Sequence, residues 1–123
     1  MLRLGIAVVR TFTRSLTCAN PGNAMHGLIG RITALEGRRD ELARILLEAI
    51  GGMPGCLSYV VAIDPQTADA LWITEVWDSA ESHRASLALP AVRNAIARGK
   101  PLIASFDQHI QTAVLGGHGL GGA

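Results

Sequence analysis

From Met25 onward the apolar positions of the chain switch between two periods, and the switches mark its elements. The run HGLIGRITAL (26–35) is rich in small and β-branched residues and predicts a strand. Next, Leu42, Ile45, Leu46, Ala49 and Ile50 recur at i, i+3, i+4, i+7 and i+8, one face of a helix. Asp40 and Glu41 suit its first turn, and Gly51 with Pro54 ends it. CLSYVVAID (56–64) and LWITEVW (71–77) predict two strands joined through PQTADA, hence a hairpin. Asp78 is the expected cap of a second helix, with Glu81 at capping-box spacing. A further helical piece is expected from Pro90, with Val92, Ala95 and Ile96 inward and Gly99 at its end. A long last strand is predicted over 101–115. Its even positions are mostly apolar (Leu102, Phe106, Ile110, Val114), and its odd positions include Asp107, His109 and Gln111. The tail GGHGLGGA (116–123) is flexible by composition.

The order β-α-β-β-α-β describes an α+β, ferredoxin-like domain: one antiparallel sheet with helices on one face. A domain this small leaves the other sheet face bare, with Ile29, Val60, Ala62 and Val76 the expected residues on it. Burying that face against a second copy predicts a homodimer with the last strand reaching across.

With 123 residues, nearly half of them apolar and only 17% charged, the chain fits one globular domain. A net charge of +1 and the lack of a basic stripe argue against nucleic-acid binding, and no apolar run is long enough to span a membrane. Cys18 and Cys56 form no CxxC spacing, as befits a protein of the reducing cytoplasm. The first acidic residue is Glu36, whereas residues 1–24 carry Arg3, Arg10 and Arg14. This segment is read as a loosely held extension without a part in the chemistry. The alternative is a targeting peptide, which the arginines interrupting LGIAVV disfavour.

Strand alternation puts Leu71, Ile73, Glu75 and Trp77 on one face, and helical spacing turns His83 inward with Ala80 and Leu87. If the helices cover the Trp77 face, a carboxylate and an imidazole meet in an apolar layer, where each needs a partner or a ligand. The four histidines show no HxH or HxxxH spacing, so no metal is expected. The tail contains G-x-G-x-x-G at 117–122 but opens no helix, so it places no phosphate. Neither a G-x-S-x-G motif nor a Cys/His arrangement points to a hydrolase.

The pattern YVVAID…WITEVWDSAESH, followed by SLALPAV and KPLIA, resembles the antibiotic biosynthesis monooxygenase domain, small quinol monooxygenases included. The resemblance covers about residues 25–115. It implies a dimeric α/β barrel with a cavity between sheet and helices, and oxidation of a quinol or phenolic substrate by O₂ without metal or flavin. His83 would be the base, with Glu75 orienting it or bonding a hydroxyl, and Trp77 and Tyr59 would stack on the substrate ring. A haem-degrading relative uses an asparagine and a haem-ligating histidine. Their places fall at about Gly30 and at Ala95 or Ile96, which disfavours haem here.

Each assignment has a structural rival. His83 could be a satisfied core histidine, Trp77 core, Tyr59 packing, and Glu75 a partner of a backbone amide or Arg84. His109 and Asp107 are expected as a surface or interface pair, His26 and His118 as solvated, and Cys56 as a small buried hydrophobe. A non-catalytic ligand-binding or stress-associated dimer with the same cavity is the alternative function.

Overall fold

The structure, a computed structural model, describes residues 24–120. The expectations for residues 1–23, Cys18 included, and for the last residues of the tail lie outside the described residues. The elements run β1 (Met25–Ala34), α1 (Arg39–Glu48), β2 (Cys56–Ile63), β3 (Ala70–Trp77), α2 (Ala80–Ser86), α3 (Pro90–Gly99), a 3₁₀ turn (Lys100–Leu102) and β4 (Ile103–Val114). The four strands form one antiparallel sheet in the order β2-β3-β1-β4, the ferredoxin-like arrangement read from the element order. No helix among the described residues is long and apolar enough to cross a membrane.

Period-2 alternation sorts the sheet into two faces. On one, Ile32, Leu71 and Ile73 pack with Leu42 and Ile45 of α1 and Ala95 of α3, and these buried side chains form the core. Helix α1 brings down the stripe expected of it, with Leu42 and Ile45 fully inward and Leu46 and Ala49 at the margin. In α3, Pro90 takes the first turn, where its missing N–H costs nothing, and Val92 and Ala95 face inward. Ile96, expected inward, stays half-exposed.

The β2–β3 turn is closed by Asp64, whose carboxylate accepts the Gln66 amide at 2.9 Å. Before β2, Gly55 takes a left-handed backbone (φ +83°), and a Cβ there would stand 2.6 Å from the Cβ of Ser82. Only glycine lets the chain enter β2 this close to α2, and that closeness brings β2 and α2 to one end of the sheet.

The cap of α2 is Ser79 and not Asp78. The Ser79 hydroxyl accepts the Ser82 amide at 3.1 Å. Asp78 cannot start the helix because its own N–H still bonds Gly55 O at 2.9 Å, as an extension of the strand pairing. Glu81 therefore falls one position short of a capping box. With only seven residues, α2 presents a single inward edge made by His83 and the buried Ser86, and Ala80 is exposed.

The other sheet face carries no helix. The register puts Ile29, Thr74 and Val60 in one row and Arg31, Trp72 and Ala62 in another, with Val76 between Gly27 and Ser58. All four residues expected on the bare face are therefore on it. Ile110, paired with Ile29, adds to it. Val60 is 51% exposed and Ile110 44% exposed. Strand β4 pairs with β1 along its whole length.

Candidate active site

Leu71, Ile73, Glu75 and Trp77 do share the helix-covered face. Trp77 is 1% exposed and is among the largest fully buried side chains of the described residues. Its indole N–H finds its partner two residues back on the same strand face, donating to Glu75 Oε1 at 3.0 Å. Among the described residues, neither a backbone amide nor Arg84 holds the carboxylate. The edge-to-face contact of Trp77 with His83, ring centroids 5.3 Å apart at 65°, fixes the imidazole above the sheet.

These groups stand around a cavity of about 160 Å³ between sheet and helices. Its lining includes Tyr59 from β2, Glu75 and Trp77 from β3, and His83 from α2, with Leu46 and Val92 as apolar wall. All four residues singled out from the sequence thus meet at one place. Among the described residues, no hydrogen bond joins Glu75 to His83 directly; each offers its polar atoms to the same space.

Two further groups reach this neighbourhood. His26 was expected to be solvated, but it lies on β1 opposite Trp77, and its ring is 5.8 Å from that of His83. His109 was expected to pair with Asp107. The register instead sets His109 opposite Gly30 on the helix side of the sheet, where it acts on both Glu75 and His83 through its charge. Asp107 sits where the β1–β4 register shifts. It turns to the other face and accepts from Thr33 Oγ1 at 2.6 Å and Arg31 Nη1 at 2.8 Å. A β-bulge adds one residue to a strand, so neighbours two apart need not share a face across it. Arg31 also bonds Asp64 at 3.2 Å and lies over the Trp72 ring.

The electrostatics follow from burial and neighbours. Burial, then the charges of His26, His109 and Arg84, lower the pKa of His83. Burial raises that of Glu75, against the opposing pull of the Trp77 hydrogen bond and His109. The Tyr59 phenol is pushed far up by burial and by Glu75, so it stays protonated. Cys56 is half-buried and not fully so, and burial together with Glu75 raises its thiol pKa, making it a poor nucleophile. His118 is exposed in the tail. Among the described residues, no three of His, Cys, Asp and Glu converge as a metal ion would need.

The chemical character is a half-closed apolar slot with aromatic walls, a neutral imidazole and a carboxyl group. Such a slot can hold a flat ring and take a proton from it. The family model for antibiotic biosynthesis monooxygenase matches residues 25–98, more than half of the chain. A solved structure of a candidate antibiotic biosynthesis monooxygenase from Chloroflexus aurantiacus J-10-fl is 61% identical, with a TM-score of 0.78 over 80% of this chain and 100% of that one. Another candidate of that description, from Caulobacter crescentus CB15, is 15% identical with a TM-score of 0.70 over 76% of this chain and 92% of that one. A conserved protein from Methanosarcina mazei Go1 is 11% identical with a TM-score of 0.67, over 74% of this chain and 93% of that one. The last two likenesses bear on the fold alone. No curated protein matches the chain.

Proposed function

The chain belongs to the antibiotic biosynthesis monooxygenase family, and from that premise we propose that it oxidises a small quinol or phenol with O₂, without metal or flavin, in the cavity between sheet and helices. The observation that supports this reading best is the meeting of His83 and Glu75 with Trp77 and Tyr59 around one apolar slot. O₂ has two unpaired electrons and reacts slowly with closed-shell molecules. A quinol that has lost a proton gives up an electron far more readily. His83, kept neutral by its surroundings, takes that proton. The anion passes one electron to O₂, and the resulting radical pair closes to a C–O bond. Loss of water then leaves a hydroxyquinone. Quinol plus O₂ gives hydroxyquinone plus water with no external reductant. The protonated Tyr59 hydroxyl can donate to the anion, and the Trp77 ring supports the substrate ring at the floor of the slot.

Oxygen uptake with a panel of hydroquinones tests the reading. The neutral imidazole is the base, so uptake should climb as pH rises through the pKa of His83 and level off above it. That midpoint should lie below about 6.5, the ordinary histidine value, because burial and the nearby cations lower it. Binding of these quinols without any oxygen consumption would instead favour a non-catalytic binding protein.

The same reading includes a symmetric dimer. Val60 and Ile110, exposed on the uncovered sheet face beside Ile29, need cover, and a second copy is the simplest source. Sedimentation at micromolar concentration should show twice the 13.0 kDa chain mass. A stable folded monomer would contradict it.

A further inference from the structure

Beside the cavity, across Met53 and Tyr59, lies a second depression of about 420 Å³. Both residues line both spaces, so the two adjoin at these side chains. The outer depression is an open groove walled by Ile50, Pro54 and Leu57, mostly apolar and without a charged side chain. The inner one, at about 160 Å³, is small. An apolar protein cavity of about 150 Å³ takes one benzene molecule, whereas sites for larger ligands usually occupy about 300–1,000 Å³. The inner space therefore suits one aromatic ring and little more, while inner and outer spaces together reach the size of an ordinary ligand site.

We propose that the substrate is a single-ring quinol or phenol bearing an apolar side chain, with the ring in the cavity beside His83 and the chain passing Met53 into the groove walled by Ile50, Pro54 and Leu57. This rests on the reading of the cavity as the place where the ring is oxidised. Cys56 and Ser58 are the small polar residues of the lining and no charged side chain joins them, so a charged substituent finds no counter-ion along that wall and the groove selects against it. Methionine suits the boundary position, because its unbranched thioether adapts its shape to chains of different bulk.

Calorimetric titration under nitrogen, with hydroquinones carrying no chain, methyl, propyl or hexyl, tests this without turnover. Affinity should rise about two- to fourfold per methylene until the chain outruns the groove. Ile50→Asp, outside the cavity lining, should flatten that rise. If Ile50→Asp does not fold, Pro54→Asp at an exposed position serves the same purpose. Affinity that stays level or falls with chain length in the unaltered protein overturns the proposal, as does a rise that survives the aspartate variant. Oxygen uptake on the same series separates the two readings. A chain-length effect on binding without uptake removes the oxygenase reaction and leaves the ring-and-chain ligand standing. Uptake with hydroquinone that gains nothing from a chain removes only the groove.

Discussion

Replacing His83 with alanine should lower oxygen-dependent turnover by about 10²–10⁴, the usual cost of losing a positioned general base. The fold should survive, because the imidazole is only half-buried and Ser79 still caps α2. Binding of the quinol should change little, since Trp77 and Tyr59 still wall the slot. The variant should also lose the rise of activity with pH, which in the unaltered protein follows the neutral fraction of this imidazole. The direction of its pKa shift carries a trade-off. A lowered value keeps more of the base ready at neutral pH but makes it a weaker proton acceptor, so the best rates belong near the point where the two balance. Stopped oxygen-electrode assays across pH, with melting curves alongside, check all of this. Unchanged uptake would assign the proton to Glu75 or to one of the neighbouring histidines, His26 and His109.

Trp77→Ala should be the most destabilising single change in the cavity, by about 3–5 kcal/mol. Two losses combine. A fully buried indole leaves a void beneath α2, and the Glu75 carboxyl loses the N–H that holds it in a half-buried place. For a domain of this size each kcal/mol moves the melting point by about 4–8 °C, so the variant should melt tens of degrees lower, near the limit of stability. Trp77→Phe separates the contributions. It keeps a six-membered ring in the core and loses the hydrogen bond together with the volume of the five-membered ring, so its melting point should fall less. A Trp77→Phe variant as unstable as Trp77→Ala would show that the carboxylate contact, and not the packing, dominates.

The elements and the α+β class were legible because hydrophobic period and turn chemistry agree along most of the chain. The inner face of β3 was legible for the same reason: Leu71, Ile73 and Trp77 can share only one covered side. Strand β4 shows what alternation leaves open. It groups Phe106, Ile110 and Val114 against His109 and Gln111, but it does not say which group meets the helices. Pairing with β1 decides that, and it sends Ile110 to the open face and His109 to the helix side of the sheet. The bulge at Asp107 breaks the simple count of two as well. His26 could have been found, because it shares parity with Leu28 and Ile32, both buried on the helix side. Alternation puts Glu75 and Trp77 two residues apart on one strand face, within reach of each other, but it does not say which donor the carboxylate takes. Ser79 displaced Asp78 as the cap for a reason outside the helix, the hydrogen bond that keeps Asp78 in the strand.

The chain has two tryptophans, and strand β3 sets them on opposite sides of the sheet. Each indole N–H donates to a carboxylate, Trp77 to Glu75 and Trp72 to Asp64 at 3.0 Å. The protein therefore carries two built-in optical probes with separate duties. In a Trp72→Phe background the remaining emission belongs to Trp77 and follows ring binding and the protonation of Glu75. In a Trp77→Phe background it belongs to Trp72 and follows whatever covers the other face. Comparing the two spectra during one titration would show whether filling the slot is felt across the thickness of the sheet.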